Sequence, residues 1–420
     1  MVDKPIGKLT QNELEVYNEL VRALPKMGKK YQMPTKGKTF LSYYFLNALF
    51  TVTENDDFFC SDLPSQTAQH VLKEVAGNMK DFYALCRSFW KNPSSYNGKP
   101  KLPHYAPSGG QHKAVLTNQQ CVIYEGVDGT KKVKIPKVKQ HINIGKAPIS
   151  GTLKQAEIVP FHGIFKLVLV WDDGKLPPKK KSPKRMCSID VGVNNLAAIT
   201  NNIGKPCLLF KGEVIKSANQ YFNKQMAKYQ SGQADKRVLT PDMQRLYVKR
   251  DNRIRDFLNK AASRIVSWCV QNDIDTIVIG VNKEQKQNIH LSKANNQMFV
   301  QIPFDYFRQC ISFRAERYGI NVITHEESYT SKASFLDKDY IPTYGADDER
   351  ANFSGQRTKR GVYRTKNGIK INADLNGSAN ILRKTYPDAF VAGIMPIFNK
   401  VRIYKHPDLE PIVKSNPSGI

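Results

Sequence analysis

Residues 186–200, MCSIDVGVNNLAAIT, decide the fold of the second half of the chain. Here an apolar run ends in a single carboxylate, Asp190, and the chain then turns through Gly192 into a second apolar run. This pattern predicts two short strands joined by a turn. A buried strand that ends in Asp and Gly places the carboxylate at the edge of a sheet, although turn chemistry alone explains Asp190 equally well.

Later acidic stretches favour a catalytic interpretation of Asp190. TIVIGVNKEQ at 276–285 and VITHEES at 322–328 each lead from an apolar run into acidic residues. NADLNGSANILRK at 372–384 places another carboxylate, Asp374, at the start of a predicted helix. Two strand carboxylates and one helix carboxylate form the layout of an RNase H-like nuclease core. Alternating strands and helices around one sheet make this half of the chain α/β.

Composition narrows the class of partner. The chain of 420 residues is too long for one ordinary compact domain and predicts two or three. Its 64 Lys and Arg residues against 37 acidic residues give a formal net charge of +27, which favours nucleic acid as the partner. The seven cysteines form no CxxC pair, and neither an apolar leader nor an apolar run of membrane-spanning length is present. We therefore expect reduced thiols, a cytoplasmic protein and no membrane partner.

The first half predicts a helical region followed by a β region. Apolar residues recur at helical spacing in 10–24, 39–53 and 64–92, so three helices are expected. A Pro- and Gly-rich stretch at 93–110 ends this region. The short alternating runs of 111–180 are typical of a small antiparallel barrel or sheet.

Lysines decorate this β region and the stretch before it. Such runs are usually solvated faces, but aromatic neighbours and the net charge of the chain favour contact with nucleic acid. A basic run at 177–185 leads into the second half and is interpreted as a tether. The decorating residues are Lys99, Lys101, Lys131, Lys132, Lys134, Lys137 and Lys139.

Helices and strands alternate beyond Asp190. The expected elements are a hairpin that turns on 202–204, a helical region at 212–272, a buried strand at 275–280, a helix at 297–318 and a strand at 319–327. In the helix at 297–318, the side chains expected to face the core are those of Phe304, Phe307, Cys310 and Phe313.

Asp190 and Asp374 suit a site for divalent metal ions. Two ions about 4 Å apart can activate water on one side of a phosphodiester and stabilise the leaving oxygen on the other. Mg²⁺ prefers carboxylate and water oxygens, so such a site needs Asp or Glu rather than Cys or His. For Asp374 alone, helix capping is the stronger explanation. Its position after the basic loop 357–372, in a chain of this charge, favours metal binding.

The chain resembles TnpB, the transposon-encoded RNA-guided nucleases related to type V CRISPR effectors. The resemblance covers nearly the whole chain, and several motifs carry it besides the acidic stretches. They are LPSQTAQHVLKEV (63–75), KNPSSYNGKPKLPHY (91–105), LTNQQCVI (116–123), EESYTSKASF (326–335) and DLNGSANILRK (374–384).

The resemblance implies a multidomain α+β architecture. Its parts are a helical recognition domain at 1–92, a wedge-type β-barrel with a basic linker at 93–184, an RNase H-like (RuvC) α/β nuclease domain at 185–400 and a C-terminal tail at 401–420. The nuclease domain would contain a helical insertion and a cysteine-free segment in place of a zinc ribbon.

In function, the resemblance implies an Mg²⁺-dependent RNA-guided DNA endonuclease of a transposable element, with Mn²⁺ as an alternative ion. One protein would bind one transposon-derived guide RNA and cut double-stranded target DNA beside a short adjacent motif. The host would be prokaryotic and the protein associated with the nucleoid. An RNA-guided DNA-binding protein or repressor that has lost cleavage is the alternative, and a guide-independent nuclease or transposase is a weaker third. Retention of Asp190 and Asp374 favours cleavage.

One departure from the family concerns zinc. Many relatives carry a zinc ribbon just before the final Asp, whereas residues 311–420 contain no cysteine. A four-thiolate zinc site cannot form there, so no zinc is expected. The segment 340–368 occupies that place and must fold without metal or remain mobile.

A second departure removes a carboxylate. Relatives usually carry Glu directly after the apolar strand at 275–280, where this chain has Gly280. Glu327, at the end of the neighbouring predicted strand, is the first candidate for the missing ligand, because its side chain can reach the space left by a glycine and a strand end fixes a ligand well. Glu284 is the alternative, and Glu326 would point to the opposite side of its strand.

Each candidate also has an ordinary structural explanation. Glu284 would be a solvated loop residue, and Glu327 would pair with one of the basic residues around Arg357. The predicted catalytic and metal-binding set is Asp190, Glu327 and Asp374, with Glu284 as the alternative to Glu327.

Overall fold

The structure is a computed structural model that divides into two compact units, Met1–Lys175 and Leu176–Ile420. It describes residues 10–31, 42–54, 58, 62–96, 98–104, 109–146, 151–233, 235, 238–281, 301–359, 361–390 and 393–415. Within these ranges no helix is both long and apolar enough to cross a membrane.

The first unit contains helices followed by strands, in the predicted order. The helices are α1 (Gln11–Met27), α2 (Tyr43–Val52) and α3 (Ser65–Lys91), and a 3-10 turn follows at Pro93–Ser95. The strands are β1 (Ala114–Thr117), β2 (Val122–Glu125), β3 (Lys131–Lys134), β4 (Ile142–Gly145), β5 (Thr152–Phe161) and β6 (Ile164–Asp172).

These strands form two antiparallel sheets, ordered β1-β5-β6 and β2-β3-β4. Leu116 and Ala156 from the first sheet and Val133 from the second share one apolar core. The antiparallel β region is therefore confirmed. Closure into a wedge-type barrel and assignment of the helices to a recognition domain stay predictions.

The second unit is built on a seven-stranded mixed sheet. Its strands are β7 (Met186–Val191), β8 (Asn195–Asn201), β9 (Pro206–Lys211), β10 (Thr276–Val281), β11 (Asn321–Glu326), β15 (Ile397–Tyr404) and β16 (Ile412–Ser415). They lie in the order β11-β10-β7-β8-β9-β15-β16. β10 is parallel to both β7 and β11, whereas β8 runs antiparallel to its neighbours β7 and β9. The predicted adjacency of the strands that carry Asp190, Gly280 and the VITHE run is confirmed.

Helices cover both faces of this sheet. One face carries α4 (Glu213–Ser231), α5 (Pro241–Gln271) and α6 (Phe304–Glu316), and the other carries α7 (Ala373–Thr385). A small antiparallel sheet, β12 (Gln356–Lys359), β13 (Val362–Arg364) and β14 (Lys370–Asn372), leads into α7. Further 3-10 turns lie at Asp348–Arg350 and Pro387–Phe390.

Strand alternation sends opposite chemistry to the two faces of β7. Cys187, Ile189 and Val191 enter the large apolar core beneath α4, α5 and α6. Because side chains alternate along a strand, Ser188 and Asp190 face α7 instead. The sequence MCSIDV thus turns its polar residues toward a single helix.

Three details differ from the sequence prediction. Phe313 is 60% exposed, because the buried face of α6 runs through Phe307, Ile311 and Ala315 instead. β11 ends at Glu326, one residue before Glu327. The expected tail from residue 401 is wrong through residue 415, because β15 packs Val401 into the core and pairs with β16 at the edge of the main sheet.

Candidate active site

The helix α7 crosses four strands and brings the candidate side chains together. Its positions 374, 377, 381 and 384 are spaced by three or four residues and therefore share one face. In that order they meet Asn195 of β8, Asp190 of β7, Gly280 of β10 and Glu326 of β11. The candidate site is therefore a row of side chains along α7, which we call the carboxylate row.

Asp190 is the middle carboxylate of the row, and Gly377 permits its close contact with α7. A Cβ atom at Gly377 would stand 2.8 Å from Asp190 Oδ2, which is closer than real contacts of this kind. Burial, together with the carboxylates of Glu327 and Asp374, raises the pKa of Asp190 well above its usual range, and Arg357 opposes this shift. Such surroundings favour either a proton or a bound cation.

Buried hydroxyl groups behind Asp190 fix α7 to the sheet. Ser188 Oγ donates to the carbonyl oxygen of Ser378 over 2.7 Å, and Ser378 Oγ donates to the carbonyl oxygen of Ser188 over 2.9 Å. Thr200 Oγ1 lies 2.9 Å from Ser188 Oγ and 3.1 Å from Ser378 Oγ. Because all of these groups are buried and paired, they hold the helix at one height above β7 and β8.

The carboxylate of Asp374 does not cap its helix. The N-cap is Asn372, whose Oδ1 accepts hydrogen bonds from the backbone N–H groups of Asp374 at 3.0 Å and Leu375 at 3.1 Å. Asp374 instead accepts from Asn195 Nδ2 at 2.7 Å and from Arg357 Nη2 at 2.9 Å. The capping explanation of this residue is therefore wrong, and its side chain faces β8 and the neighbouring hairpin.

Two cations flank the Asp374 end of the row. Lys211 Nζ donates to Asn195 Oδ1 over 2.9 Å, which orients the amide nitrogen of Asn195 toward Asp374. Arg357 belongs to β12, and its ion pair with Asp374 is half-exposed. These partnerships have no local signal in the sequence beyond the Asn residues after Asp190 and the basic character of the loop before Asp374.

Glu327 fills the space in front of Gly280. A Cβ atom at Gly280 would stand 2.5 Å from Glu327 Oε2 and 2.5 Å from Ile381 Cδ1, so only glycine leaves room for this carboxylate. Glu327 Oε2 is buried and has no hydrogen-bond partner within the described residues. Burial raises the pKa of Glu327 to about 7, with Arg308 acting in the opposite direction.

An ion pair between a buried lysine and a half-buried glutamate fixes the chain beside Glu327. Lys384 Nζ donates to Glu326 Oε2 at 2.8 Å and to the carbonyl oxygen of Ser328 at 3.0 Å, and its side chain is only 7% exposed. Ser328 Oγ donates to Glu326 Oε2 over 2.8 Å. Because Glu326 and Ser328 are both tied to Lys384, the residue between them is directed toward β10.

The remaining predicted site residues are placed as follows. Asp190, Glu327 and Asp374 lie in one row, and Asp190 interacts electrostatically with both of the others. Arg357 pairs with Asp374 rather than with Glu327. Glu284 lies outside the described residues. Glu326 was expected on the opposite side of its strand, but it binds Lys384 of α7.

Two residues of the row, Glu327 and Asp190, are chemically suited to bind a hard divalent cation. Glu327 has a buried carboxylate oxygen without a hydrogen-bond partner in the described part of the chain. The negative charge of Asp190 is buried and is not fully balanced by nearby cations. No group of three His, Cys, Asp or Glu residues in the described part of the chain already stands in metal-binding geometry. Asp374 and Ile381 are seven residues apart, or about 10 Å along the axis of α7. Asp374 and Glu327 therefore flank Asp190 from opposite sides.

The cysteine-free segment folds around two carboxylates. Asp339 Oδ2 accepts hydrogen bonds from the backbone N–H groups of Ser334 at 2.7 Å and Ser354 at 3.0 Å. Asp337 Oδ2 accepts from the backbone N–H of Lys366 at 2.8 Å. Tyr363 is fully buried between these loops. Hydrogen bonds to carboxylates therefore hold together the described part of 340–368, the segment that carries Arg357.

Two family models match the parts of the chain that carry the carboxylate row. A family model described as a probable transposase matches residues 167–286, and one described as a Cas12f1-like TNB domain matches residues 304–381. The TnpB-like protein ORF457 of Acidianus two-tailed virus is 28% identical over 214 residues, which are 49% of this chain and 43% of that protein. The match thus spans less than half the length of this relative.

Solved structures were also compared with the chain. A Cas12f1–sgRNA–target DNA complex is 14% identical, with 89% of this chain and 83% of that chain covered and a TM-score of 0.49. A CRISPR-Cas12f ternary complex is 15% identical, with 87% and 79% covered and a TM-score of 0.36.

The residues matched by the family models include the candidate site. The first family model includes Asp190 and Gly280, and the second includes Glu327 and Asp374. The viral relative carries the same family name that the sequence motifs indicate. The chain is therefore similar to TnpB-like proteins and to Cas12f1-like domains.

Proposed function

We propose that this protein is an RNA-guided DNA endonuclease that hydrolyses phosphodiester bonds at the carboxylate row. The observation that carries the proposal is the convergence of Asp190, Glu327 and Asp374 on α7, although they come from three different parts of the chain. Ordinary structural needs do not explain why Glu327 Oε2 is buried without a hydrogen-bond partner beside a glycine that makes room for it.

The fold of the second unit supports this proposal. A mixed sheet with a carboxylate at the end of one strand and another on a crossing helix has the arrangement of a RuvC-like nuclease. The two units would correspond to recognition and cleavage. The formal charge of +27 suits binding of a guide RNA and a DNA duplex, because each phosphate neutralised by Lys or Arg releases a counterion.

Each carboxylate would have a distinct task in hydrolysis. Mg²⁺ or Mn²⁺ bound at the row would supply Lewis-acid stabilisation and a more acidic bound water. Because Asp190 lies between the other two carboxylates of the row, it would bind metal together with each of them. Asn195 would keep Asp374 oriented toward the row, and Lys384 would keep the end of β11 in place for Glu327. We further propose that no zinc is needed.

Arg357 would have to leave Asp374, at least in part, when a metal ion binds. Its half-exposed ion pair is a weak contact by energy, since exposed pairs contribute about 0–1 kcal/mol. The same contact favours a second candidate function, a guided DNA-binding protein in which Arg357 permanently blocks Asp374. Metal-dependent cutting would separate the two.

RNA that copurifies with the protein provides the test. The protein is expressed together with the DNA that flanks its reading frame, and the bound RNA is sequenced. We expect one structured RNA from that locus, and we expect it to direct cutting of a matching duplex with Mg²⁺ but not with EDTA. Absence of bound RNA, together with no stimulation by any RNA from the locus, would contradict guide dependence. Guided binding without cutting would support the second candidate.

A further inference from the structure

A helical hairpin begins beside the carboxylate row. β7 and β9 run in the same direction because β8 is antiparallel to both, so they end at one edge of the sheet. α4 starts directly after β9, and Gly212 donates its N–H to the carbonyl oxygen of Asn194 over 2.8 Å. Asn194 lies in the turn that follows Asp190. The hairpin of α4 and α5 therefore starts at the edge where the candidate catalytic strand ends.

The outer part of this hairpin has a core of its own. Ile215 and Ile254 belong to the main core of the sheet. Further from the sheet, Phe222, Met226 and Met243 form a separate apolar cluster between α4 and α5. The outer part of the hairpin is therefore held together by contacts between α4 and α5 rather than by contacts with the sheet.

A cavity of about 150 Å³ opens between the two helices. Its apolar lining comes from Ala218, Phe222 and Leu246, and the ring of Tyr221 stands at its rim with 56% of the residue exposed. An apolar cavity of this volume holds about one six-membered aromatic ring. Tyr221 lies eight residues after the start of α4, or about 12 Å along the helix from the edge of the sheet.

The remaining lining residues are all cations. Arg250 is already committed, since it donates to Asn219 Oδ1 at 2.8 Å and to the carbonyl oxygen of Gln301 at 3.0 Å. Lys249 and Arg253, four residues apart on α5, are exposed and make no hydrogen bond or ion pair within the described residues. No carboxylate lines the cavity. An aromatic rim beside two uncommitted cations matches a base attached to a phosphodiester backbone.

We propose that this cavity binds one nucleotide of single-stranded DNA, with the base stacked on Tyr221 and the backbone phosphates held by Lys249 and Arg253. The proposal rests on the proposed function, and it specifies the strand that the hairpin would hold beside the carboxylate row. DNA is favoured over the guide RNA because the hairpin begins at the turn that follows Asp190. A strand entering or leaving the site would pass along it.

Photocrosslinking of the full-length protein tests the proposal. The probe is a single-stranded 12-mer of 5-iododeoxyuridine, irradiated with the protein at 0.2 M salt, and the crosslinked peptide is mapped by mass spectrometry. We expect the label on the α4 peptide that contains Tyr221. Tyr221→Ala should lower this yield and weaken binding of the 12-mer about tenfold, whereas Tyr221→Phe should retain both. Tyr229→Ala is the matched control, because Tyr229 is exposed on the same helix but does not line the cavity.

The charge contribution is tested separately. Lys249→Gln and Arg253→Gln should each reduce the slope of log affinity against log salt by about one, because each removes one phosphate contact. Unchanged crosslinking in Tyr221→Ala would overturn the proposal. Stronger labelling of Tyr221 by the corresponding 5-iodouridine RNA 12-mer would overturn the assignment to DNA.

This outcome is independent of the outcome for the proposed function. Crosslinking of the 12-mer needs neither a guide nor cleavage. Label at Tyr221 in a protein without bound RNA would support the cavity and contradict guide dependence. Guided cleavage without label at Tyr221 would contradict the cavity alone.

Discussion

β7 and β10 lie side by side and run in the same direction, but only β7 ends in a carboxylate of its own. At β7, Asp190 meets a glycine on the helix, Gly377. At β10 the glycine is on the strand, and Glu327 arrives from beyond β11 to occupy the space. These two strands show that a carboxylate belongs to the row because of where it lies in space, whichever part of the chain it comes from. A glycine is needed wherever the helix or the strand must make room.

The largest loss of cleavage activity is expected when Asp190 or Asp374 is removed. Asp190→Ala and Asp374→Ala should each lower the rate of target cleavage about a thousandfold or more, because several kcal/mol of charge stabilisation would be lost. Single-turnover cleavage measures the rate, and gel shifts with guide and target measure binding. Cutting at the wild-type rate by either variant would show that the row is not the nuclease site, whereas binding should survive in both.

The next effect concerns the glycine at β10. Gly280→Ala would place a methyl group 2.5 Å from Glu327 Oε2 and Ile381 Cδ1, and both atoms lie at the ends of flexible side chains. We therefore expect the protein to fold, Glu327 to be displaced and cleavage to fall about a hundredfold. Thermal unfolding and cleavage are measured together. Gly232→Ala is the control, because its nearest neighbour would be 3.9 Å away.

A carboxylate returned to β10 tests whether that strand can replace Glu327 as the source of the carboxylate. The combined variant Gly280→Glu, Glu327→Gly and Ile381→Val removes the two atoms that would lie 2.5 Å from a Cβ at position 280 and restores a carboxylate on that strand. We expect it to cut at least about tenfold faster than Glu327→Gly alone. No gain would mean that the end of β11 supplies something more than a carboxylate.

The ion pair beside Glu327 should matter for stability. Lys384→Met leaves the half-buried Glu326 without its cation and should lower the free energy of unfolding by about 2 kcal/mol. It should also raise the Mn²⁺ concentration needed for half-maximal binding, which calorimetry measures. The control Lys260→Met removes a cation shared by two exposed ion pairs, with Asp256 and Asp408, and should change stability by about 1 kcal/mol or less. Equal effects of the two variants would contradict a special role for Lys384.

The smallest expected effect is a change in the free energy of unfolding with pH when no metal is bound. Since the pKa of Glu327 is raised to about 7, folding favours its protonated form, and this stabilisation is lost as pH rises through 7. In EDTA, Glu327→Gln should therefore gain up to about 3 kcal/mol relative to wild type between pH 5 and pH 8. Urea unfolding at both pH values measures the difference. A gap that stays constant with pH would show that Glu327 is ionised throughout.

The sequence predicted the parts of the site that local pattern controls. Asp190 follows a buried run and Asp374 opens a helix, so their elements could be assigned from periodicity and turn chemistry. Glu327 required a further step, because its relevance depends on β11 lying next to β10. That neighbour relation was expected for an RNase H-like sheet and is confirmed.

Other contacts could not be predicted because they join distant residues without a local signal. Arg357 and Asp374 are brought together by a hairpin whose fold depends on hydrogen bonds to Asp337 and Asp339. Lys384 resembles any lysine in the last turn of a helix, yet it is buried. The expected burial of Phe313 was wrong because helical spacing alone did not fix which face of α6 meets the sheet.

In the proposed nuclease site, Glu327 supplies the carboxylate that β10 lacks. The most direct test is single-turnover cleavage of a guide-matched duplex by Glu327→Gln and, separately, by Glu284→Gln, with guide and target binding measured in parallel. We expect a loss of about a hundredfold for Glu327→Gln, near wild-type cutting for Glu284→Gln and unchanged binding in both. Full activity in Glu327→Gln would contradict this expectation.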